Sequence, residues 1–322
     1  MSDLPYSLIV VTPVFEDAEA AEHLFRELAT QFSDQIYVVA VDDGSVREPL
    51  ECSSFNAAGI DGVVLKLRRN VGHQRAIAIG LAYVSERMTD RQFIVVMDSD
   101  GEDLPTTIPA LLSQLESTDV DVVVAQRKSR MESLGFKIFY QIYKGIFRLM
   151  TGKKISFGNF MALKLNAVRR LAAMQELAIH VAGTVLASRL RTGICPSDRG
   201  SRYAGQSKMS FVALALHGFK ALMVFAEDVL VRAGIACVVI SVFSGGGIIA
   251  AIVLKMFGFA TPGWFSVALG ILVLMLLQTG ALALMTLMLT GVVRGGTVTS
   301  SVAYREFIEA ELPANKARMN QN

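Results

Sequence analysis

Apolar and polar positions follow two patterns along this chain, and the change between them marks its organisation. From residue 7 to 125, short β-branched runs alternate with segments whose apolar residues recur at helical spacing. The runs Ser7–Thr12, Ile36–Val41, Val63–Leu67, Phe93–Met97 and Val120–Ala125 predict five strands. Between them, Ala18–Phe32, Gln74–Arg87 and Thr106–Leu115 predict helices, Ala21, Leu24, Phe25, Leu28 and Phe32 forming the apolar stripe of the first. Such alternation predicts an α/β fold with a mostly parallel sheet covered on both faces. Ligands of such sheets bind at the carboxyl ends of the strands.

Beyond residue 130 the pattern changes. Leu134–Thr151 predicts a helix with an aromatic face and a basic one. Ser210–Phe225 is apolar on most sides and suits a helix lying in a membrane interface. Ala233–Leu254 and Trp264–Val293 carry no charge at all, and each is long enough to span a bilayer. Arg232 and Arg294 bracket the pair and Lys255 is the lone charge between them, so both ends are expected on the cytoplasmic side of an inner or plasma membrane. The expected domains are a catalytic unit over 1–209, an interfacial linker over 210–231, a two-helix hairpin within 232–294 (spans near 233–254 and 264–293) and a polar, partly disordered cytoplasmic tail over 295–322.

Composition sharpens this. Hydrophobic residues make up 52% of the 322 and the mean hydropathy is +0.44, an excess concentrated in the hairpin. A net charge of +2 excludes the basic stripe of a nucleic-acid binder. Cys52, Cys195 and Cys237 lack ligand-like spacing and read as free thiols in a reducing compartment. The first five residues lack the basic and apolar regions of a signal peptide, which agrees with a cytoplasmic catalytic unit. Gly245-Gly246-Gly247 permits close helix packing, which keeps a homo-oligomer open.

The candidate chemistry lies at the predicted strand ends. Asp98-Ser99-Asp100 closes a buried strand with two carboxylates one residue apart, a pair suited to Mg²⁺ or Mn²⁺ shared with substrate phosphates, and Glu102 and Asp103 follow at once. Asp42 and Asp43 are placed to contact a base or ribose, or else to make an Asp-Gly turn with Gly44. Asn70 and Arg75 flank a strand-to-helix junction that favours an anion, with an ordinary capped loop as the alternative. Arg127 and Arg130 are candidate phosphate ligands or a solvated loop facing anionic lipid. A Gly-bearing basic loop holding Arg199, Arg202 and Lys208 is shaped to close over a diphosphate and meet a lipid-borne phosphate. His180, in an apolar setting, reads more readily as a core histidine than as a catalyst.

The succession Val11-Thr12-Pro13-Val14-Phe15-Glu16, Val41-Asp42-Asp43-Gly44-Ser45, Asn70-Val71-Gly72-His73-Gln74-Arg75-Ala76 and Asp98-Ser99-Asp100-Gly101-Glu102-Asp103-Leu104-Pro105 resembles family 2 glycosyltransferases of the GT-A fold. With the hairpin, the chain is similar over about residues 6–295 to the branch of dolichyl- and polyprenyl-phosphate sugar synthases. The resemblance implies that Pro13 and Glu16 line a nucleotide pocket with Asp42 and Asp43. It implies that Asp98 and Asp100 hold the metal diphosphate beside Glu102, that Arg127 and Arg130 approach the lipid phosphate, and that Lys208 belongs to the loop covering the pyrophosphate. The implied reaction is inverting transfer from a UDP- or GDP-sugar to polyprenyl phosphate, with Asp100, Arg127 and Lys208 acting on it.

One departure bears on the acceptor. The branch usually carries Gly-Asp-Phe-Arg where this chain reads Gly158-Asn159-Phe160-Met161. Asn159, placed at the acceptor, cannot serve as a base. An anionic lipid phosphate needs none, whereas a lipid hydroxyl acceptor requires one, with Asp103 or His180 as candidates. A non-catalytic nucleotide-sugar-binding membrane subunit is a further alternative.

Overall fold

The computed structural model describes residues 6–127, 134–203, 211–259, 261, 263–295 and 304–314. The chain falls into two compact units, one of residues 1–141, 154–224 and 300–322, the other of residues 142–153 and 225–299.

The first unit holds a single eight-stranded sheet. Its strands are β1 (Leu8–Val14), β2 (Ile36–Asp42), β3 (Asp61–Leu67), β4 (Phe93–Val96), β5 (Val122–Arg127), β6 (Met161–Lys164), β7 (Thr192–Ser197) and β8 (Ile308–Ala314), in the order β7-β5-β6-β4-β1-β2-β3-β8. The pairs β1/β2, β1/β4, β2/β3 and β5/β7 are parallel, while β6 runs antiparallel to β4 and β5, and β8 antiparallel to β3. The expected α/β class with a mostly parallel sheet is therefore the observed one.

The continuous apolar runs are explained by burial on both faces. Ile9, Val11, Val39, Val41, Val63 and Leu65 point to one side, against α3 (His73–Arg87) and α6 (Leu165–Ala172). Leu8, Val10, Val38, Ala40 and Val64 point to the other, against α1 (Ala18–Phe32), α2 (Cys52–Ala58) and α4 (Ile108–Ser117). β1 runs one residue past Pro13, where β4 has ended; the Pro13 carbonyl there accepts a 3.1 Å hydrogen bond from Ser99 Oγ.

The largest departure from the sequence reading is at the C-terminus. Ile308–Ala314, read as part of a polar tail, is the edge strand β8, preceded by a short helical turn, α11 (Tyr304–Phe307). Its inward residues Leu312 and Ala314 join the core, while Glu309 and Glu311 reach Lys66 and Arg87. Tyr304 Oη donates to Glu86 Oε2 at 2.6 Å.

The second unit contains α9 (Ala226–Met256) and α10 (Trp264–Gly295) with the latter part of α5 (Leu134–Thr151). Ala226–Met256 and Trp264–Val292 are long and apolar enough to cross a membrane. Between them, Ser241 Oγ and Thr279 Oγ1 lie 2.6 Å apart, and Gly247 and Gly234 lie where a Cβ would press on Leu272 and Thr286. Gly245 and Gly246 have open space instead. The helix expected over Ser210–Phe225 is α8 (Phe211–Met223), part of the first unit.

Candidate active site

The loops leaving the carboxyl ends of β1 to β4 are fastened to one another by carboxylates. Asp42, fully buried, accepts from the N–H groups of Ser45 (2.9 Å) and Leu50 (3.0 Å). Asp43 accepts from Val71 N–H at 2.7 Å and Gly72 N–H at 2.9 Å, joining the β2 and β3 loops. Burial pushes the Asp43 carboxyl above its ordinary range, against the pull of those two N–H groups. Glu16, in the left-handed region with φ 48°, gathers the N–H groups of Val46, Arg47 and Glu48, and these bonds, Val46 foremost, hold its carboxyl below the ordinary range. Gly44 has φ 73°, and a Cβ on it would sit 2.4 Å from the Arg69 carbonyl carbon, so only glycine lets the loops approach so closely. The residues read as nucleotide contacts thus build the rim. Asp42 in particular has both oxygens committed to backbone, the work of the Asp-Gly turn weighed as its alternative.

The Asp98–Asp103 loop is the charged centre. Asp98 N–H donates to Asp103 Oδ2 at 3.0 Å, and Asp103 is buried. Asp100 Oδ1 accepts from Glu102 N–H at 3.0 Å, and its Oδ2 lies 3.0 Å from Arg202 Nη2. Burial, reinforced by the neighbouring Asp98 charge, raises the Asp100 carboxyl above its ordinary range. Glu102 is the shared counter-ion of Arg202, whose Nε donates to Oε1 at 2.8 Å, and of Arg199. Burial pushes Glu102 up, but the Arg202 and Arg199 hydrogen bonds outweigh it and bring the group below the carboxylate range.

Backbone bonds from Gly200 N–H to the Glu102 carbonyl and from Tyr203 N–H to the Asp100 carbonyl lay residues 199–203 directly on this loop. The packing is tight: a Cβ on Gly200 would stand 2.2 Å from the Gly101 carbonyl oxygen. The structure therefore joins Arg199 and Arg202, read as acceptor ligands, to Glu102 and Asp100, read as metal ligands. Among the described residues, no three His, Cys, Asp or Glu side chains form a ready cage for a metal ion. Two carboxylates suffice for Mg²⁺-type binding when substrate phosphates complete the shell, and Asp98 and Asp100 are the pair that fits.

His73 lies within the strand-to-helix motif, yet the sequence gives it no role of its own; it is the site residue that sequence reasoning misses. At the first position of α3, its Nε2 lies 3.2 Å from Asp98 Oδ1 and 3.1 Å from the Asn159 amide. Burial lowers its basicity, but Asp98, with Asp100 and Asp103 behind it, more than compensates and keeps the imidazole above the ordinary histidine range. The signal available was its position, directly after Gly72 at the start of the helix that follows β3. Asn159 thus stands beside the Asp98 carboxylate through His73.

His180 has a different task. It caps α7 (Val181–Ala187), with Nδ1 accepting from Gly183 N–H at 2.9 Å and Nε2 lying 3.1 Å from His217 Nε2. Buried, and beside His217, it is pushed down to about 3. Both ring nitrogens are engaged, so it is a neutral core histidine and not a base. Arg127 ends β5 in register with Ser197, and Asn70 and Arg75 lie at the exposed β3–α3 junction. Arg130 and Lys208 lie outside the described residues.

Residues 9–177 match Glycosyl transferase family 2. The chain is 25% identical over 283 residues to the uncharacterized glycosyltransferase YkoT of Bacillus subtilis, covering 82% of this chain and 81% of that protein. It is 27% identical over 196 residues to the dodecaprenyl-phosphate galacturonate synthase of Rhizobium johnstonii, covering 57% of this chain and 56% of that one. A solved glucosyl-3-phosphoglycerate synthase from Mycobacterium tuberculosis, in complex with Mn²⁺, UDP-glucose and phosphoglyceric acid, superposes with a TM-score of 0.49 at 15% identity over 70% of this chain and 79% of that one. The family match spans the sheet from β1 to β6 together with every rim loop described above except 199–203, and on that ground the chain belongs to glycosyl transferase family 2.

Proposed function

We propose that this glycosyltransferase moves a sugar from a nucleotide-diphosphate donor to a polyprenyl phosphate held in a membrane, with inversion at the anomeric carbon. The observation that carries the choice of acceptor is the state of the candidate bases. Asp103 is buried and holds Asp98 N–H, His180 is neutral with both ring nitrogens engaged, and position 159 is an amide. Asp98 raises His73 above the ordinary histidine range, which favours the protonated form over a proton acceptor. A hydroxyl acceptor would need one of these groups to take its proton, whereas a phosphate oxygen arrives already ionised. The similarity to a dodecaprenyl-phosphate galacturonate synthase supports the same class of acceptor.

In this reading Asp98 and Asp100 would hold a divalent cation, Mg²⁺ or Mn²⁺, which supplies charge neutralisation for the departing diphosphate. Arg199 and Arg202, fixed on Glu102, add fixed positive charge where the leaving group develops its own. Asp43 and Glu16 act by holding the rim loops in the shape the nucleotide meets, and Asn70 borders that rim, whereas the Arg75 guanidinium is at the Phe307 ring. Arg127, Arg130 and Lys208 are assigned to the acceptor and diphosphate oxygens from the resemblance.

The two apolar helices serve as a membrane hairpin. The position of β8 supports an even number of crossings, because β3 precedes the hairpin in sequence, β8 follows it, and the two pair within one sheet. The flanking Arg232 and Arg294 favour the cytoplasmic face for both.

The test is transfer by purified full-length protein in detergent, with UDP- and GDP-sugars, Mg²⁺ or Mn²⁺, and either undecaprenyl phosphate or diacylglycerol. Transfer to the phosphate that disappears in Asp100→Asn is the expected result. Transfer confined to diacylglycerol would replace this reading with a hydroxyl-acceptor enzyme.

A further inference from the structure

On the α3 and α6 side of the sheet lies a cavity of about 270 Å³. Ala78, Ile79 and Ala82 of α3 form one wall, Leu177 a second, and Tyr304 and Phe307 of the C-terminal segment a third. Arg75, Ala78, Ile79 and Ala82 fall on one helical stripe, and Arg75 is the one charged residue lining the space. The alanines leave the volume open because their side chains stop at Cβ. At a water's share of about 30 Å³, the cavity has room for a short run of methylenes, less than a whole lipid tail.

The cavity meets a cluster of arginines. The guanidinium carbons of Arg69 and Arg75 each lie 5.9 Å from the centroid of the Phe307 ring. Arg68 donates from its backbone N–H to the Phe307 carbonyl at 2.9 Å and from Nε to the Glu306 carbonyl at 3.0 Å. All three side chains belong to exposed residues, and among the described residues none is paired with a carboxylate. With Arg69 and Arg75 at one aromatic ring, positive charge gathers at this end of the cavity and favours an anion there.

We infer that this is a binding site for an anionic lipid carrying a phosphomonoester head, with the phosphate between Arg69 and Arg75 and the start of its hydrocarbon chain in the cavity. The apolar space and the arginines are each incomplete without the other half of such a molecule. Inorganic phosphate leaves the cavity unfilled, and an uncharged chain leaves the arginines unpaired. The site is separate in residues from the Asp98–Asp103 loop: His73 turns to that loop, whereas Arg75 and its stripe line the cavity. The inference therefore does not rest on the proposed acceptor.

The experiment uses full-length protein in phosphatidylcholine nanodiscs, a dodecyl phosphate with a photoreactive diazirine within the first few carbons of its chain, and peptide mapping of the adducts. Adducts are expected in residues 172–178 and 304–307. They should fall by about tenfold in Arg69→Gln, the loss of one charge-assisted hydrogen bond. Ala82→Phe, which fills the cavity, should abolish them, and the exposed Arg69 variant keeps the test valid if the core variant folds poorly. Equal labelling by the corresponding neutral alcohol, unchanged labelling in Arg69→Gln, or full displacement by inorganic phosphate at the concentration of the probe would each overturn the inference.

Discussion

Acidification is the perturbation whose effect can be worked most fully from this structure, through His180. Its ring accepts from Gly183 N–H on one side and meets His217 on the other, inside the first unit and 3% exposed. Burial, with His217 next, pushes it from 6.5 down to about 3. Between those two values the unfolded chain binds a proton at this position and the folded chain does not, so stability rises with pH across the window and is lost as pH falls below 6.5. Each pH unit is worth about 1.4 kcal/mol, so moving from pH 7 to pH 5 removes about 2 kcal/mol. For a domain of this size that is roughly 4–8 °C in Tm. His217, also held low by burial, adds in the same direction. The assay is thermal unfolding in detergent at both pH values, wild type against His180→Asn, whose side-chain oxygen can still cap Gly183 N–H. The wild type should lose roughly 4–8 °C more than the variant on acidification, on the same scale as above. Parallel losses in the two proteins, or an imidazole ¹⁵N titration of His180 near its ordinary value, would refute the reasoning.

Three other outcomes follow from the same contacts. Glu102→Gln removes the charge that Arg199 and Arg202 share, costing about 1.5–3 kcal/mol at the loop contact, and hydrogen exchange at Gly200 and Tyr203 amides should quicken accordingly. Gly200→Ala forces its Cβ against the Gly101 carbonyl and should sharply reduce sugar transfer, whereas Gly158→Ala, with nothing within 4 Å, should leave the thermal midpoint unchanged. Truncation after residue 303 strips β8 from β3 and leaves an unpaired hydrophobic edge, so the detergent-solubilised protein should shift to large aggregates in size-exclusion chromatography.

What was legible in the sequence depended on how local its cause was. β1, β2 and β4 were readable because burial on both faces demands unbroken apolar runs, and the strand ends followed from them. β6 was not, since four residues between two helices carry too little pattern. β7 reads Thr-Gly-Ile-Cys-Pro-Ser, whose Gly193 and Pro196 argue against a strand, and it is tolerated as the outermost strand of the sheet. β8 shows the alternation of a half-buried strand, but its glutamates and its place after the apolar helices disguised it as a tail. At the site, residue types were legible and partners were not. Glu102 meets arginines 97 and 100 positions away, and His180 meets His217 at a separation of 37, distances over which sequence pattern carries no information.

Those long-range pairings change how the acidic motif works. Read alone, Asp98, Asp100 and Glu102 are three carboxylates crowded into five residues, an arrangement that repels itself. In the folded chain each has a basic partner, with Arg202 shared: His73 for Asp98, Arg202 for Asp100, and Arg199 with Arg202 for Glu102. The partnerships are unequal. Glu102 holds Arg202 through Nε and is drawn below the carboxylate range, whereas Asp100 faces only the outer Nη2 and is raised above it. Glu102 is therefore the anchor of the basic loop, and its charge is committed there. Asp100, the less satisfied of the two, keeps the greater gain from an added positive charge. The position four residues after Asp98 thus serves to fix arginines, and on the proposed reading the carboxylates left to hold a cation would be Asp98 and Asp100.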